Sequence, residues 1–358
     1  MSRRRGLFAG FAGALLTFAA LALLALVAAL LVLHAPGPRG SGDPHGTDVV
    51  LRKGAGLQEI GGALERAHVV ASAPVFIAAA ELTGASRRLK PGEYLFPPRA
   101  SLSAVIGRIR RGEIVHHRIT VPEGWSSQQV MDALRASDVL TGDAPTPPEG
   151  AVLPETYDVV RGESRAAVLG RMMDARDRVL AELWSHRRAG LPFTGAEQAV
   201  ILASIVEKET ALAAERPRVA AVYVNRLERG MPLQADPTVI YGLTHGAGPL
   251  GRPLSANDLL VEGPYNTYLH PGLPPTAIGN PGRASLAAVM DPPVTPDLYF
   301  VASGGGGPSL FSSTLEQHNA NVAKLRAWEK AHPQVITTRT LSTVTTTAPA
   351  GAPLREHR

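Results

Sequence analysis

No cysteine occurs among the 358 residues. Structural disulfides, thiol nucleophiles and cysteine metal sites are therefore excluded, while an oxidising compartment is allowed without being indicated. There is no repeat at a solenoid period, no phosphate loop and no metal-ligand cluster. The run SGGGGPS (303–309) lacks the strand-to-helix context of a nucleotide site and reads as a flexible turn between LYFVA and FSS. His318 falls in a predicted helix capped by Thr314, with no second histidine at ligand spacing, so it reads as structural and not as a metal ligand. The formal charge of +5 owes much to Arg3, Arg4 and Arg5 at one end and Arg355 and Arg358 at the other. Nucleic-acid binding needs a basic patch on a folded domain, which these termini do not supply. With 45% hydrophobic and 19% charged residues, the chain has room for one membrane element and one or two domains with real cores.

Charge is also missing from residues 6–33, GLFAGFAGALLTFAALALLALVAALLVL, where Thr17 is the one polar side chain. That run exceeds the ~20 residues that a helix needs to cross a bilayer. A cleavable signal peptide would have an apolar core of only about 7 to 15 residues. The run is therefore predicted to be an uncleaved anchor, and Arg3–Arg5 (within 1–5) favour a cytoplasmic N-terminus. Residues 34–358 would then lie outside the cytoplasm, away from ATP-dependent chemistry, cytosolic cofactors and nucleic acid.

The fold expected is α+β in three parts. After the transmembrane helix (6–33), HAPGPRGSGDPHG (34–46) is a Pro/Gly-rich linker without regular structure. Residues 47–116 read as a small α+β unit: a strand at 48–52, a helix near 56–66, a helix from about Pro74 to Leu82, a returning strand in LKPGEYLF (89–96) and a helix at 101–111. The pattern resembles LysM, so this unit either binds glycan or only positions the next domain. Residues 117–335 read as a mixed α+β catalytic domain. It opens with a strand, a Pro-Glu-Gly turn and a helix capped by Ser126 or Ser127. Residues 141–159 read as loop, 164–186 as helix, and Thr194 as the cap of a long helix that carries VILASIVEKETALAA (200–214). The Thr/Ala/Pro-rich residues 336–358 read as a disordered tail.

Two glutamates interrupt that apolar helix. At 100° per residue, Glu207 and Glu209 point about 200° apart, so one cleft sees one of them. Glu209 shares its face with Leu202, Ile205, Val206, Leu212 and Ala213; Glu207 keeps company with Ser204, Thr210 and Ala211. A carboxyl among apolar neighbours is desolvated and holds its proton to higher pH, as a general acid at neutral pH requires. A structural glutamate paired with an arginine such as Arg218 or Arg226 fits the same local pattern. Glu207 is the solvated or structural neighbour in this reading.

Behind the helix stand MPLQADPTVIYGLT (231–244), EGPYNTYLHPGLPPTAIGNPG (262–282), LYFVA (298–302) and FSSTLEQHN (311–319). With ASIVEKETALAAERPRVAAVYVNRL, KPGEYLF and the N-terminal anchor, they resemble the YceG-like family of membrane-bound endolytic murein transglycosylases. The likeness runs from the anchor to about residue 330.

The resemblance places the family's catalytic glutamate, the second in Glu-Lys-Glu-Thr, on Glu209. It implies a lytic transglycosylase that cuts the β-1,4 bond between N-acetylmuramic acid and N-acetylglucosamine and leaves a 1,6-anhydro end. It implies no metal and no organic cofactor. The partners implied are peptidoglycan glycan strands, the plasma (inner) membrane and peptidoglycan synthases. Among the motif residues, Gln234, Tyr241, Asn266 and Tyr268 carry amide and phenol groups suited to sugar hydroxyl and N-acetyl groups. Asp236 is either a further acidic group at the substrate or an N-cap ahead of Pro237. Two other functions stay open at this level: a muramidase that uses water with a second carboxylate such as Asp236 or Glu207, and a non-catalytic glycan-binding scaffold.

Overall fold

The structure, a computed structural model, describes residues 2–210 and 212–333. The chain divides into two compact units, one comprising the residues through His117 together with Val159–Gly162, the other Arg118–Asp158 and the chain from Glu163 onward.

In the first unit, α1 (Ser2–His34) contains a 20-residue stretch, Leu15–His34, of mean hydropathy 2.9 and no burial. It is long and apolar enough to cross a membrane. Then come β1 (Thr47–Leu51), α2 (Leu57–Arg66), α3 (Ala73–Leu82), β2 (Gly92–Phe96) and α4 (Leu102–Arg111). The strands pair antiparallel, Thr47 opposite Phe96 and Leu51 opposite Gly92. Period-two alternation turns Val49 and Leu51 inward, where they meet Leu64 of α2, Phe76 of α3, Tyr94 and Phe96 of β2, and Val105 and Ile109 of α4. Ser101 caps α4 by accepting from the Ala104 amide at 3.3 Å.

Residues 35–46 hold no helix or strand, but they are not a free tether. The Gly37 amide donates to the Arg99 carbonyl at 3.2 Å and the Arg99 amide to the Pro38 carbonyl at 2.9 Å. Farther along, the Ser41 amide donates to Thr47 Oγ1 at 2.8 Å. His34 Nδ1 lies 3.2 Å from Ser103 Oγ. A β-carbon on Gly37 would stand 2.2 Å from the Ala100 carbonyl oxygen, so only glycine fits there.

Glu93 of β2 is a buried acid in the same unit. Arg161 Nε lies 3.1 Å and His117 Nε2 2.6 Å from its Oε2. Burial alone would raise this carboxyl; the two partners hold it below its ordinary value.

The second unit follows from β3 (His117–Thr120) through α5 (Ser127–Ala136), β4 (Thr156–Val159), α6 (Arg165–Ser185), α7 (Ala196–Glu209), α8 (Arg216–Glu228), α9 (Asp236–Thr244), α10 (Arg283–Met290), β5 (Tyr299–Val301), β6 (Leu310–Ser312) and α11 (Leu315–Ala331). Ser126 and Gln129 form a reciprocal capping box on α5. α7, α8 and α10 pack on one another, burying Leu202, Ile205, Val206, Val219, Val224, Leu286 and Val289. β5 and β6 form an antiparallel hairpin with Tyr299 opposite Ser312.

Four local readings are corrected here. β4 lies inside the segment 141–159 read as loop; it turns Tyr157 and Val159 inward and pairs with β3. The cap of α7 is Gly195, and the Thr194 amide donates to Gln198 Oε1 at 2.8 Å instead. α7 stops at Glu209 because Thr210 is extended and its hydroxyl accepts from the Leu212 amide at 3.0 Å, a side-chain turn that competes with the helix. Leu212, 44% exposed, therefore leaves the helical face it was expected to share with Glu209, and Ala213 falls in a separate short turn. Lastly, the glycine-rich turn is anchored. Gly304 lies against Trp328, and Ser309 donates through its amide at 2.5 Å and its hydroxyl at 2.8 Å to buried Glu215. The Thr/Ala/Pro-rich tail, 336–358, lies outside the described residues.

Candidate active site

The last turn of α7 delivers Glu207 and Glu209 to different surroundings, as a separation of about 200° requires. Glu207 is not solvated: its side chain is 4% exposed. Arg216 at the start of α8 donates to it at 2.8 Å, and the Gly282 amide donates to its other oxygen at 2.9 Å. Arg216 reaches Glu123 as well, at 3.0 Å. Burial raises the Glu207 carboxyl despite the arginine. The neighbours Ser204 and Thr210 suggest a polar face, yet the elements packed on that face turn it into an interior ion pair.

Glu209 is half-buried at the end of the helix. Tyr223 of α8 donates its hydroxyl to Glu209 Oε1 at 2.7 Å. The Tyr223 ring is 2% exposed and meets Phe300 edge-on at 6.0 Å. Its hydroxyl is pushed well above its ordinary value, by burial first and by Glu209 second. One turn along α8, buried Arg226 donates to the carbonyls of Leu298 at 2.7 Å and Leu233 at 2.8 Å and to Gln234 Oε1 at 3.3 Å. Burial lowers this guanidinium, and the surrounding Tyr223, Tyr299, Tyr268 and Glu209 oppose the shift.

Gln234 adopts φ +52°, uncommon for a residue with a side chain. The conformation is held because its amide donates to the Thr267 carbonyl at 3.0 Å. Asp236 is the first residue of α9, not its cap, which is Ala235. It is buried and accepts from the Tyr268 hydroxyl at 2.5 Å. Burial raises the Asp236 carboxyl against that bond. Tyr268 is raised by burial, then by Asp236 and Glu209. Asn266 is spent on the backbone: its amide nitrogen donates to the Leu259 and Val261 carbonyls at 3.0 and 2.8 Å, and its oxygen accepts from the Tyr268 amide at 3.0 Å.

Glu209, Gln234, Asp236 and Tyr268 are thus gathered around Arg226 and Tyr223, with Asn266 fixing the loop that bears Tyr268. Tyr241 is elsewhere on α9. Its hydroxyl lies 3.4 Å from Glu149 Oε1, and its ring is 4.9 Å from that of Tyr265. Glu149 accepts from the Ser127 amide at 2.9 Å and is raised by burial. Sequence reasoning missed Tyr223 and Glu149; Arg226, named as a possible arginine partner, lies beside Glu209 as expected, while Arg218 pairs with Asp297 at 2.7 Å. One signal was available: a tyrosine within the apolar AAVYV needs a partner for its hydroxyl once buried. Among the described residues, no group of three or more His, Asp or Glu side chains is arranged to hold a metal ion. His318 stacks on Tyr299 at 5.2 Å, and burial lowers it.

A half-buried carboxyl hydrogen-bonded by a phenol, beside a second phenol–carboxyl pair, is suited to proton transfer at a polar, oxygen-rich substrate. The profile of the YceG-like family matches residues 49–324, the stretch that contains all of these groups. The chain belongs to the YceG-like family. It is 27% identical over 304 residues to the endolytic murein transglycosylase of Bacillus subtilis, covering 76% of this chain and 82% of that protein. It is 26% identical over 324 residues to the protein of the same name from Streptococcus pneumoniae, covering 77% of this chain but 58% of that protein. A YceG-like protein from Listeria monocytogenes, solved at 2.6 Å, is 27% identical and covers 76% of this chain and 98% of its own, with a TM-score of 0.47. In this YceG-like chain, the Glu-Lys-Glu-Thr motif coincides with the end of α7, where the helix gives way to the extended Thr210.

Proposed function

We propose that this YceG-like chain is a membrane-anchored endolytic lytic transglycosylase of peptidoglycan, with Glu209 as its single acid/base. The observation that carries the reading is the Tyr223–Glu209 hydrogen bond of 2.7 Å inside a stretch that matches the YceG-like family and is similar to relatives named endolytic murein transglycosylase. Glu209, protonated, donates to the glycosidic oxygen between N-acetylmuramic acid and N-acetylglucosamine as the C1–O bond breaks. As carboxylate it then accepts the proton of the muramic C6 hydroxyl while that oxygen bonds to C1. The leaving sugar keeps one proton, the enzyme regains the other, and the new end is 1,6-anhydro. Ordinary glycosidases need a second carboxylate as nucleophile or to activate water. The engagement of Glu207 by Arg216 and of Asp236 by Tyr268 supports a reaction in which the substrate supplies its own nucleophile.

Gln234, Asp236 and Tyr268 are proposed as sugar contacts nearest the scissile bond, with Tyr241 farther along the strand and Asn266 acting through the Tyr268 loop. The first unit, of LysM-like element order β-α-α-β, is proposed to add glycan affinity; its removal should weaken binding to sacculi while leaving some anhydro product. The N-terminal apolar helix is proposed to anchor the chain in the plasma (inner) membrane with its N-terminus cytoplasmic and the catalytic part outside, with nascent strands and their synthases as the proposed partners.

The test is digestion of purified glycan strands by the full chain, followed by mass spectrometry of the ends. An anhydro end is lighter than a hydrolysed one by one water. Hydrolysed ends would instead mark a muramidase, and intact strands a scaffold.

A further inference from the structure

Tyr223 has no role in any motif-based reading, yet it donates directly to the Glu209 carboxyl. It sits in the middle of α8, in the apolar run Val222–Val224, and its ring is walled by Phe300. A phenol in such a place could be there only for packing, with Glu209 serving as the partner its hydroxyl needs. Phenylalanine would then be the simpler residue, because it fills the same volume without a polar atom to satisfy. The hydroxyl instead reaches the half-buried Glu209 carboxyl at the end of α7. To the Glu209 carboxylate this hydroxyl is a donor, aimed at Oε1.

We propose that Tyr223 is the positioning residue of the acid/base: its hydroxyl holds the Glu209 carboxyl in one rotamer and favours the carboxylate that must form after proton donation. This rests on the reading of Glu209 as acid/base. Among the charged and titratable groups that face Glu209 are Tyr223 and Arg226 from α8, Tyr268 from the loop before α10, and Asp236 of α9 behind Tyr268. Of these, Tyr223 places its hydroxyl at hydrogen-bond distance from Oε1. An O–H donor stabilises the charged form of a carboxyl, so losing the donor raises the pH at which Glu209 gives up its proton.

The experiment compares the full-length wild type with Tyr223→Phe in phospholipid nanodiscs, using two readouts. The first is the pH profile of kcat/KM for release of anhydro ends from glycan strands. The second is the side-chain carboxyl 13C titration of Glu209, assigned by the signal lost in Glu209→Gln, which does not depend on turnover. Tyr223→Phe should keep the wild-type melting temperature within a few degrees. It should move both the Glu209 titration and the alkaline limb upward by about one pH unit and lower kcat about tenfold, the worth of one hydrogen bond to a charged group. An unmoved titration with a lowered melting temperature would make Tyr223 a packing residue and overturn the proposal. A moved titration in a wild type that releases no anhydro ends would leave Tyr223 as the partner of Glu209 and overturn the enzymatic reading instead.

Discussion

Arg216 holds Glu207 at 2.8 Å in an interior ion pair, two residues before the glutamate that Tyr223 holds at 2.7 Å. The two carboxyls therefore answer differently to substitution. Glu209→Gln keeps shape but cannot donate a proton, and activity should fall ~10² to 10⁴-fold, with little change in melting. Glu207→Ala removes one of the two carboxylates that Arg216 holds, leaving Glu123, and takes away the acceptor of the Gly282 amide; it should cost about 2 kcal/mol of stability. Below its lowered melting temperature it should still release anhydro ends. Equal loss of activity in the two variants at matched folded fraction would mean the wrong carboxyl has been chosen.

Asp236 lets the sign of a pH effect be worked out. Burial raises its folded pKa above the ordinary aspartate value. The stability it contributes is then present below the ordinary value and lost as pH rises through the folded value, at about 1.4 kcal/mol per unit of elevation. Asp236→Asn cannot ionise. Chemical denaturation of both proteins between about pH 3.5 and 8 should show wild type losing stability relative to the variant as pH rises, then levelling. A difference that grows in favour of wild type with pH would contradict the burial seen here.

Just after the apolar N-terminal helix, Gly37→Ala places a β-carbon 2.2 Å from the Ala100 carbonyl oxygen, which is backbone and cannot swing aside. The paired bonds between Gly37, Pro38 and Arg99 should open. Hydrogen exchange read by mass spectrometry should speed up in peptides covering 35–40 and 97–103, with the Leu64–Phe76–Tyr94 core still protected. Unchanged exchange at both peptides would mean that residues 35–46 are not tied to the small unit.

Topology is tested by a reporter fused after Arg358 that is active only in the cytoplasm. Three arginines ahead of an uncharged span predict a silent reporter and an N-terminus that stays attached. Robust reporter activity would reverse the orientation; a mature N-terminus near residue 35 would remove the anchor.

Much of this was legible in the sequence, and the reason is local. An uncharged run longer than a bilayer, the caps at Ser126 and Thr314, and the β-α-α-β order at 47–96 depend on neighbours a few residues away, which composition and periodicity report. So does the opposition of Glu207 and Glu209, because 100° per residue sets the direction of a helical side chain without any partner. The resemblance then singled out Glu209 among the motif residues.

What waits in a given direction is a tertiary matter. Whether Glu207 met water or an arginine was decided by the turn after Thr210 that brings Arg216 back under α7. Asp236 became a buried acceptor, and not a cap, because Tyr268 arrives from 32 residues away. Asn266 was claimed by the carbonyls of its own loop, and Tyr241 by Glu149, 92 residues earlier. β4 is four residues long and is read only against its partner strand. By itself the sequence determined the long apolar N-terminal helix, most of the other helices and the carboxyl to examine; the packed fold decided which polar groups surround that carboxyl, because a buried donor takes whichever acceptor the chain's long-range closure sets within hydrogen-bond reach.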